Sequence, residues 1–283
     1  MHYSRRTFLK LTGVLLSSAA LPGWLFTPER AAQAYGRALE AASVYRGRST
    51  HSTLVTRLWP DSVIELLDAD ENWYQIEQGF VARHAIQPMN PATASNPPNG
   101  QPFWAEVCGP VAAVRAYCAA DAPLLARIGH GGTARVIDRL PGQPVDWYGL
   151  AGDDGALWGW TQASLWQPAA LPTLALDYRL VIDTQSSQLT ALDGDDVLLR
   201  APFSLGAALP AGIYTAGEKR VNGTAAGYHG VPWLITFGGQ QIAGAYWHNR
   251  FGAPAAGPAV QLAPGIARWL YASLDEQHVI EVI

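Results

Sequence analysis

The sequence predicts a mainly β protein made of two small barrels followed by a larger β-sandwich module with a short helix. Three observations point there. The chain of 283 residues carries little charge (15% Asp, Glu, Lys and Arg) but 28 Gly and 20 Pro, a composition that favours short strands and frequent turns. Apolar and polar residues alternate over short runs such as "SVIELLD", "NWYQIEQGFV" and "ARVIDRL", the period of half-buried strands. Part of the chain also repeats itself, which signals one small unit built twice.

The N-terminus comes first. "SRRTFLK", Ser4 to Lys10, precedes the apolar stretch "LTGVLLSSAALPGWLF", which Pro22-Gly23 interrupts. A charged head and a short broken apolar run read as an export signal rather than a membrane span. Arg5-Arg6 with Phe8-Leu9-Lys10 resembles the twin-arginine signal, an address read by a receptor. Ala32-Gln33-Ala34 offers a small-x-small cleavage site before Tyr35. Residues 1–34 are therefore expected to be a Tat-type signal peptide. The mature chain is expected outside the cytoplasm, associated with the cell wall or envelope and without a stable transmembrane segment. The formal net charge is −4 and no basic run follows the signal, which argues against nucleic acid as a partner.

The repeat occupies the next stretch. Arg57-Leu58 leads to Leu66-Leu67-Asp68, and Arg127-Ile128 leads at the same spacing to Val136-Ile137-Asp138. Each copy then reaches a Trp-Tyr pair, Trp73-Tyr74 and Trp147-Tyr148. Gly79-Phe80-Val81 is matched by Gly159-Trp160-Thr161, and Gln87-Pro88 by Gln167-Pro168. The second copy has a longer loop before its Trp, around "LPGQPVD". Two barrels over residues 35–90 and 103–168 follow, joined by the Pro/Asn-rich linker 91–102. The pattern resembles bacterial SH3-like domains, which commonly accompany cell-wall enzymes. The paired aromatics are either core and rim packing or a stacking platform for a sugar or peptide. The second copy holds both cysteines of the chain, Cys108 and Cys118. Outside the cytoplasm a disulfide between them is open, with geometry deciding. Two cysteines with no nearby His pair do not make a zinc site.

From residue 172 to 283 the texture changes. "LALDYRLVIDTQSSQLTAL" reads as strand, turn, strand, with Asp183-Thr184 at the turn, and Asp193-Gly194-Asp195 marks the next one. Then come "FSLGAALPAGIYTAGEK", "GVPWLITFGGQQIAGAYWHNRFG" and "LAPGIARWLY". Together these segments resemble the catalytic domain of the L,D-transpeptidases, enzymes that cross-link peptidoglycan through a cysteine. The resemblance implies an opening hairpin, a strand carrying a first histidine, a loop carrying the nucleophile, and a helix over "LAPGIARWLY".

That nucleophile loop normally reads Gly-x-Pro-x-Ser-His-Gly-Cys-Val-Asn-Leu. Here it reads "GAPAAGPAVQL". Gly252, Pro254, Val260 and Leu262 keep the frame. Ala259 stands where the resemblance places the cysteine, Gly257 where it places the histidine and Ala256 where it places the Ser/Thr. Pro258 replaces a glycine and removes a backbone N–H. Ala243 takes the place of the histidine on the preceding strand. A thiolate, its base and its orienting partner act as one unit, and none of the three is present at these positions. No catalytic residue, metal site or cofactor is therefore expected.

A groove could persist without the chemistry. Tyr246, Trp247, His248, Asn249 and Arg250 keep polar and aromatic groups together, and Lys219 is a further candidate contact. His229, Lys219 and Arg220 read as loop residues beside that groove, and Ser204 as a strand-end residue with no adjacent base. The resemblance implies peptidoglycan stem peptides, or the enzymes of wall synthesis, as partners. The resulting expectation is a wall-binding or regulatory pseudoenzyme. An active transpeptidase or carboxypeptidase with an unrecognised nucleophile is one alternative, and a structural envelope protein is the other.

Overall fold

A computed structural model describes residues 34–283 apart from 90–97, 99, 143, 144, 172, 175 and 277. The twin-arginine stretch and most of the linker lie outside the described residues. The fold is mainly β, in barrel-like and sandwich-like sheets, with one α-helix among the described residues.

The first module runs through short strands from Ala34–Ala38 to Ile86–Met89. Ala34–Ala38 pairs antiparallel with both Val63–Leu66 and Ile86–Met89. Alternation buries Val44, Tyr74, Ile76, Val81 and Ile86 in one core. The second module, from Phe103–Val107 to Trp166–Pro168, repeats that order of strands in a seven-stranded sheet. Its core contains Val114, Ile128, Val136, Tyr148, Leu150 and Trp166.

The repeated residues fill matching places. Trp73-Tyr74 lies opposite Val81-Ala82, as Trp147-Tyr148 lies opposite Thr161-Gln162. A 3-10 turn, Arg83–Ala85 in one copy and Ala163–Leu165 in the other, precedes the strand with the Gln-Pro pair. Gly79 and Gly159 also do the same job. A Cβ at Gly79 would strike the carbonyl of Tyr45, and one at Gly159 that of Arg115, the last residues of matching strands. Tyr74, Tyr148 and Trp147 are buried, so these aromatics are core.

The third module is a nine-stranded sheet. The hairpin Arg179–Asp183 and Gln188–Asp193 opens it. Asp183 holds its turn, accepting from the Ser186 hydroxyl at 2.7 Å and from two backbone N–H groups. Asp196–Pro202 forms the outer strand beside that hairpin. On the far side, the fourteen-residue strand Gly212–Ala225 pairs with Val279–Val282 and with Tyr228–Phe237. Gln240–Gly244 then runs parallel to Val260–Leu262, so the chain must cross over between them. That crossover is the loop singled out by the sequence.

Helix Pro264–Ser273 follows directly. Pro264 suits its first turn, where a missing N–H costs nothing. Ile266, Ala267, Trp269, Leu270 and Ser273 fall on one stripe and are buried against the sheet. At the other end Lys219 Nζ donates to the Leu274 carbonyl at 2.6 Å, a cation tying down a helix C-terminus.

The modules pack on each other through polar side chains that reach backbone or one another. The Thr133 hydroxyl of the second module donates to Val221 O of the third at 2.7 Å. Arg268 on the helix meets the buried Glu106 at 3.1 Å. Gln87 of the first module donates to His130 O of the second at 2.9 Å. Asp61 accepts from both Arg37 and Arg127.

Candidate functional site

The loop between Gly244 and Val260 is held from within by Gln261. This side chain is 0% exposed, and its Nε2 donates to Ala255 O at 2.7 Å and to Pro258 O at 3.3 Å. Its Oε1 lies 3.0 Å from His248 Nε2. The opposite ring nitrogen, Nδ1, accepts the Arg250 N–H at 3.2 Å. An Nδ1 that accepts carries no proton, so the proton sits on Nε2 and points at Gln261. Burial, with Arg250 nearby, also pushes the imidazole below its ordinary pKa. His248 is thus a neutral ring with both nitrogens engaged, packed against Phe251.

Backbone closes the rest of the loop. Gly252 N donates to Phe203 O, Ala255 N to Leu205 O, and Gly206 N to Ala259 O. A Cβ at Gly206 would strike the Pro258 and Gly257 carbonyls, so only glycine admits this approach. Ser204 is buried and its hydroxyl donates to Arg250 O.

The four positions of interest are inert in different ways. Ala243 is 0% exposed in a small cluster with Val231 and Leu234. Ala259 is 4% exposed. Gly257 has φ +141, and a side chain there would meet the Gln261 amide at 3.1 Å and Ala226 at 3.3 Å. Ala256 is exposed at the loop tip. None of these four side chains can attack a carbon or move a proton.

The other candidate residues are largely occupied by packing. Tyr246 is buried in the second module's core and its hydroxyl donates to His229 O at 2.6 Å; burial pushes that phenol's pKa up. Trp247 stacks on Tyr228 with centroids 4.5 Å apart and planes within 8°. Asn249 Nδ2 donates to Arg83 O at 3.0 Å and Ile86 O at 2.7 Å, clasping the 3-10 turn of the first module. Arg250 faces Glu40 of that module at 3.4 Å, both exposed. Lys219 is bound to the helix end and lies over the Tyr271 ring at 4.7 Å.

One expectation is corrected and one open question is answered. His229, Lys219 and Arg220 are strand residues, on Tyr228–Phe237 and Gly212–Ala225, because alternation continues through what reads as a polar break. Cys108 and Cys118 are free thiols. The five-residue strand Val111–Arg115 runs between them. Burial raises the pKa of both thiols.

Sequence reading missed Gln261, whose role needs the fold, and a cleft of about 630 Å³ between the first and third modules. Among the described residues no cluster of three or more His, Cys, Asp or Glu is placed to hold a metal ion. No described helix is long and apolar enough to cross a membrane.

No family model matches this chain, and no curated protein matches it. Among solved structures, an L,D-transpeptidase from Mycobacterium smegmatis is 18% identical, with 49% of this chain and 90% of that one covered at a TM-score of 0.35. An L,D-transpeptidase from Stackebrandtia nassauensis is 16% identical, with a TM-score of 0.33; the match covers 40% of this chain and 58% of that one. Mycobacterium tuberculosis L,D-transpeptidase 1 is 19% identical, with 44% of this chain and 76% of that one covered at a TM-score of 0.32. At these values nothing about activity passes from those enzymes to this chain.

Proposed function

We propose that the protein is exported and wall-associated, and that its third module is a non-catalytic relative of the L,D-transpeptidases. In this reading residues 1–34 are a Tat signal and 35–90 and 103–168 are SH3-like modules. Residues 91–102 join them, and 172–283 are the transpeptidase-like module. One observation carries it. The frame of the nucleophile loop is kept at Gly252, Pro254, Val260 and Leu262, while Ala243, Ala256, Gly257 and Ala259 leave no nucleophile or base. His248 does not substitute, since its ring is neutral and both nitrogens are engaged. A site without chemistry can still bind, and the partner that fits the family resemblance is peptidoglycan or an enzyme that builds it.

The experiment is co-sedimentation of residues 35–283 with purified sacculi. The protein should pellet with sacculi at low salt and stay soluble without them. Equal pelleting in both tubes, or none in either, removes the wall-binding reading.

A further inference from the structure

The cleft of about 630 Å³ lies within the roughly 300–1,000 Å³ range of ligand sites. Its walls come from distant parts of the chain. The first module supplies Glu71, Arg83 and His84; the outer strand of the third supplies Arg200; the crossover loop supplies Arg250 and Phe251. Three guanidinium groups and an imidazole thus face one carboxylate, in a chain whose net charge is −4.

These groups are not used up by the fold. The Arg200 and His84 side chains are exposed and make no hydrogen bond or ion pair among the described residues. Arg250 has only its exposed pairing with Glu40 at 3.4 Å, which is weak in water. Arg83 is set in place: Nη1 donates to Asp70 O at 2.8 Å and the guanidinium lies over the Tyr74 ring at 5.2 Å. The Asp70 carboxylate and the Tyr74 hydroxyl also interact with this guanidinium, so Arg83 serves the cleft as a positioned charge. The cleft is also preformed, because Asn249 clasps the turn that carries Arg83 and His84.

We propose that this cleft binds a short acidic peptide. Guanidinium groups match carboxylates in geometry as well as charge. Phe251 offers an apolar surface that an inorganic anion would not use. Asp196–Pro202, which carries Arg200, is the outer strand of its sheet, and such a strand turns alternate N–H and C=O groups outward, where an extended peptide can pair. The acidic peptide therefore satisfies charge, apolar surface and free strand edge together. This holds whether or not the protein is wall-associated.

The test is calorimetric titration of the full exported chain with an acetylated tri-glutamate peptide at low salt, with tri-lysine peptide and inorganic phosphate as comparisons. Tri-glutamate should bind and tri-lysine should not. Arg200→Ser should weaken tri-glutamate binding about tenfold, the scale of losing one charge-assisted contact. Arg57→Ser, at an exposed arginine outside the cleft, should leave it unchanged. Arg200 is exposed and unpaired, so its loss should not disturb folding; an unchanged melting temperature checks this. The proposal is overturned if tri-glutamate does not bind at millimolar concentration, or if both arginine variants weaken it equally. Phosphate binding as tightly, with the same loss in Arg200→Ser, overturns the peptide assignment.

Discussion

At Gln261 both amide N–H groups and the carbonyl oxygen are engaged inside the protein, with the loop carbonyls of Ala255 and Pro258 and with His248. Truncation strands those partners where water does not reach. Gln261→Ala should therefore cost about 2–4 kcal/mol, measured by urea unfolding, and a loss below about 1 kcal/mol would mean the loop stands without it. His130 makes a second prediction. It is buried between modules, and burial pulls its pKa from 6.5 to about 4. Above pH 6.5 it is neutral folded and unfolded. Below 6.5 the unfolded chain takes up a proton that the folded chain refuses, so stability falls until about pH 4, where the folded form also protonates. Between pH 7 and 4.5 the wild type should lose about 2–3 kcal/mol more than His130→Asn. Glu106, whose burial raises its pKa although Arg268 opposes this, acts with the opposite sign and is common to both proteins. Neither residue stood out in the sequence, because a lone Gln and a lone His announce nothing until the fold buries them.

The strands and the helix were the most legible part of the molecule. Period-two alternation marked the strands, and the family resemblance pointed to a helix over "LAPGIARWLY", where Pro264–Ser273 is helical. Polar residues misled in the middle of a long strand: Lys219 and Arg220 look like loop but sit on Gly212–Ala225. Trp233 was also illegible, a buried tryptophan with φ +58 in the middle of Tyr228–Phe237. The crossover loop supports a prediction at this scale. Reinstating the residues that the family resemblance implies means Ala243→His, Ala256→Ser, Gly257→His, Pro258→Gly and Ala259→Cys together. Ala243 has no room, and Gly257 has a left-handed backbone with the Gln261 amide beside it. The five-fold variant should lose about 3 kcal/mol or more from overpacking and strain, and should not gain acyl transfer. A stable variant that acylates would show that the loop has kept more of a working frame than its packing allows.

Across the whole molecule, three modules that read as beads on a chain are joined by hydrogen bonds between residues far apart in sequence. Asn249 reaches Arg83 and Ile86, Thr133 reaches Val221, and Gln87 reaches His130. The repeat and the change of texture near residue 172 were legible because they are local. The docking was not, since it pairs a side chain with a backbone carbonyl that carries no sequence signature. "YWHNR", which read as a groove, turns out to be largely a set of clasps. Asn249→Ala should accordingly loosen the first module: amide exchange over residues 34–89 should quicken by about tenfold, the equivalent of roughly 1.4 kcal/mol, while the third module's core strands stay protected. Uniform exchange in both proteins would mean that the clasp does not hold the module. The central proposal is that the third module performs no covalent chemistry. Intact mass after prolonged exposure to a carbapenem tests it most directly, because a stable acyl adduct requires an activated nucleophile. The wild-type chain should keep its unmodified mass; an adduct mapped to any residue between Leu174 and Ile283 would contradict the account.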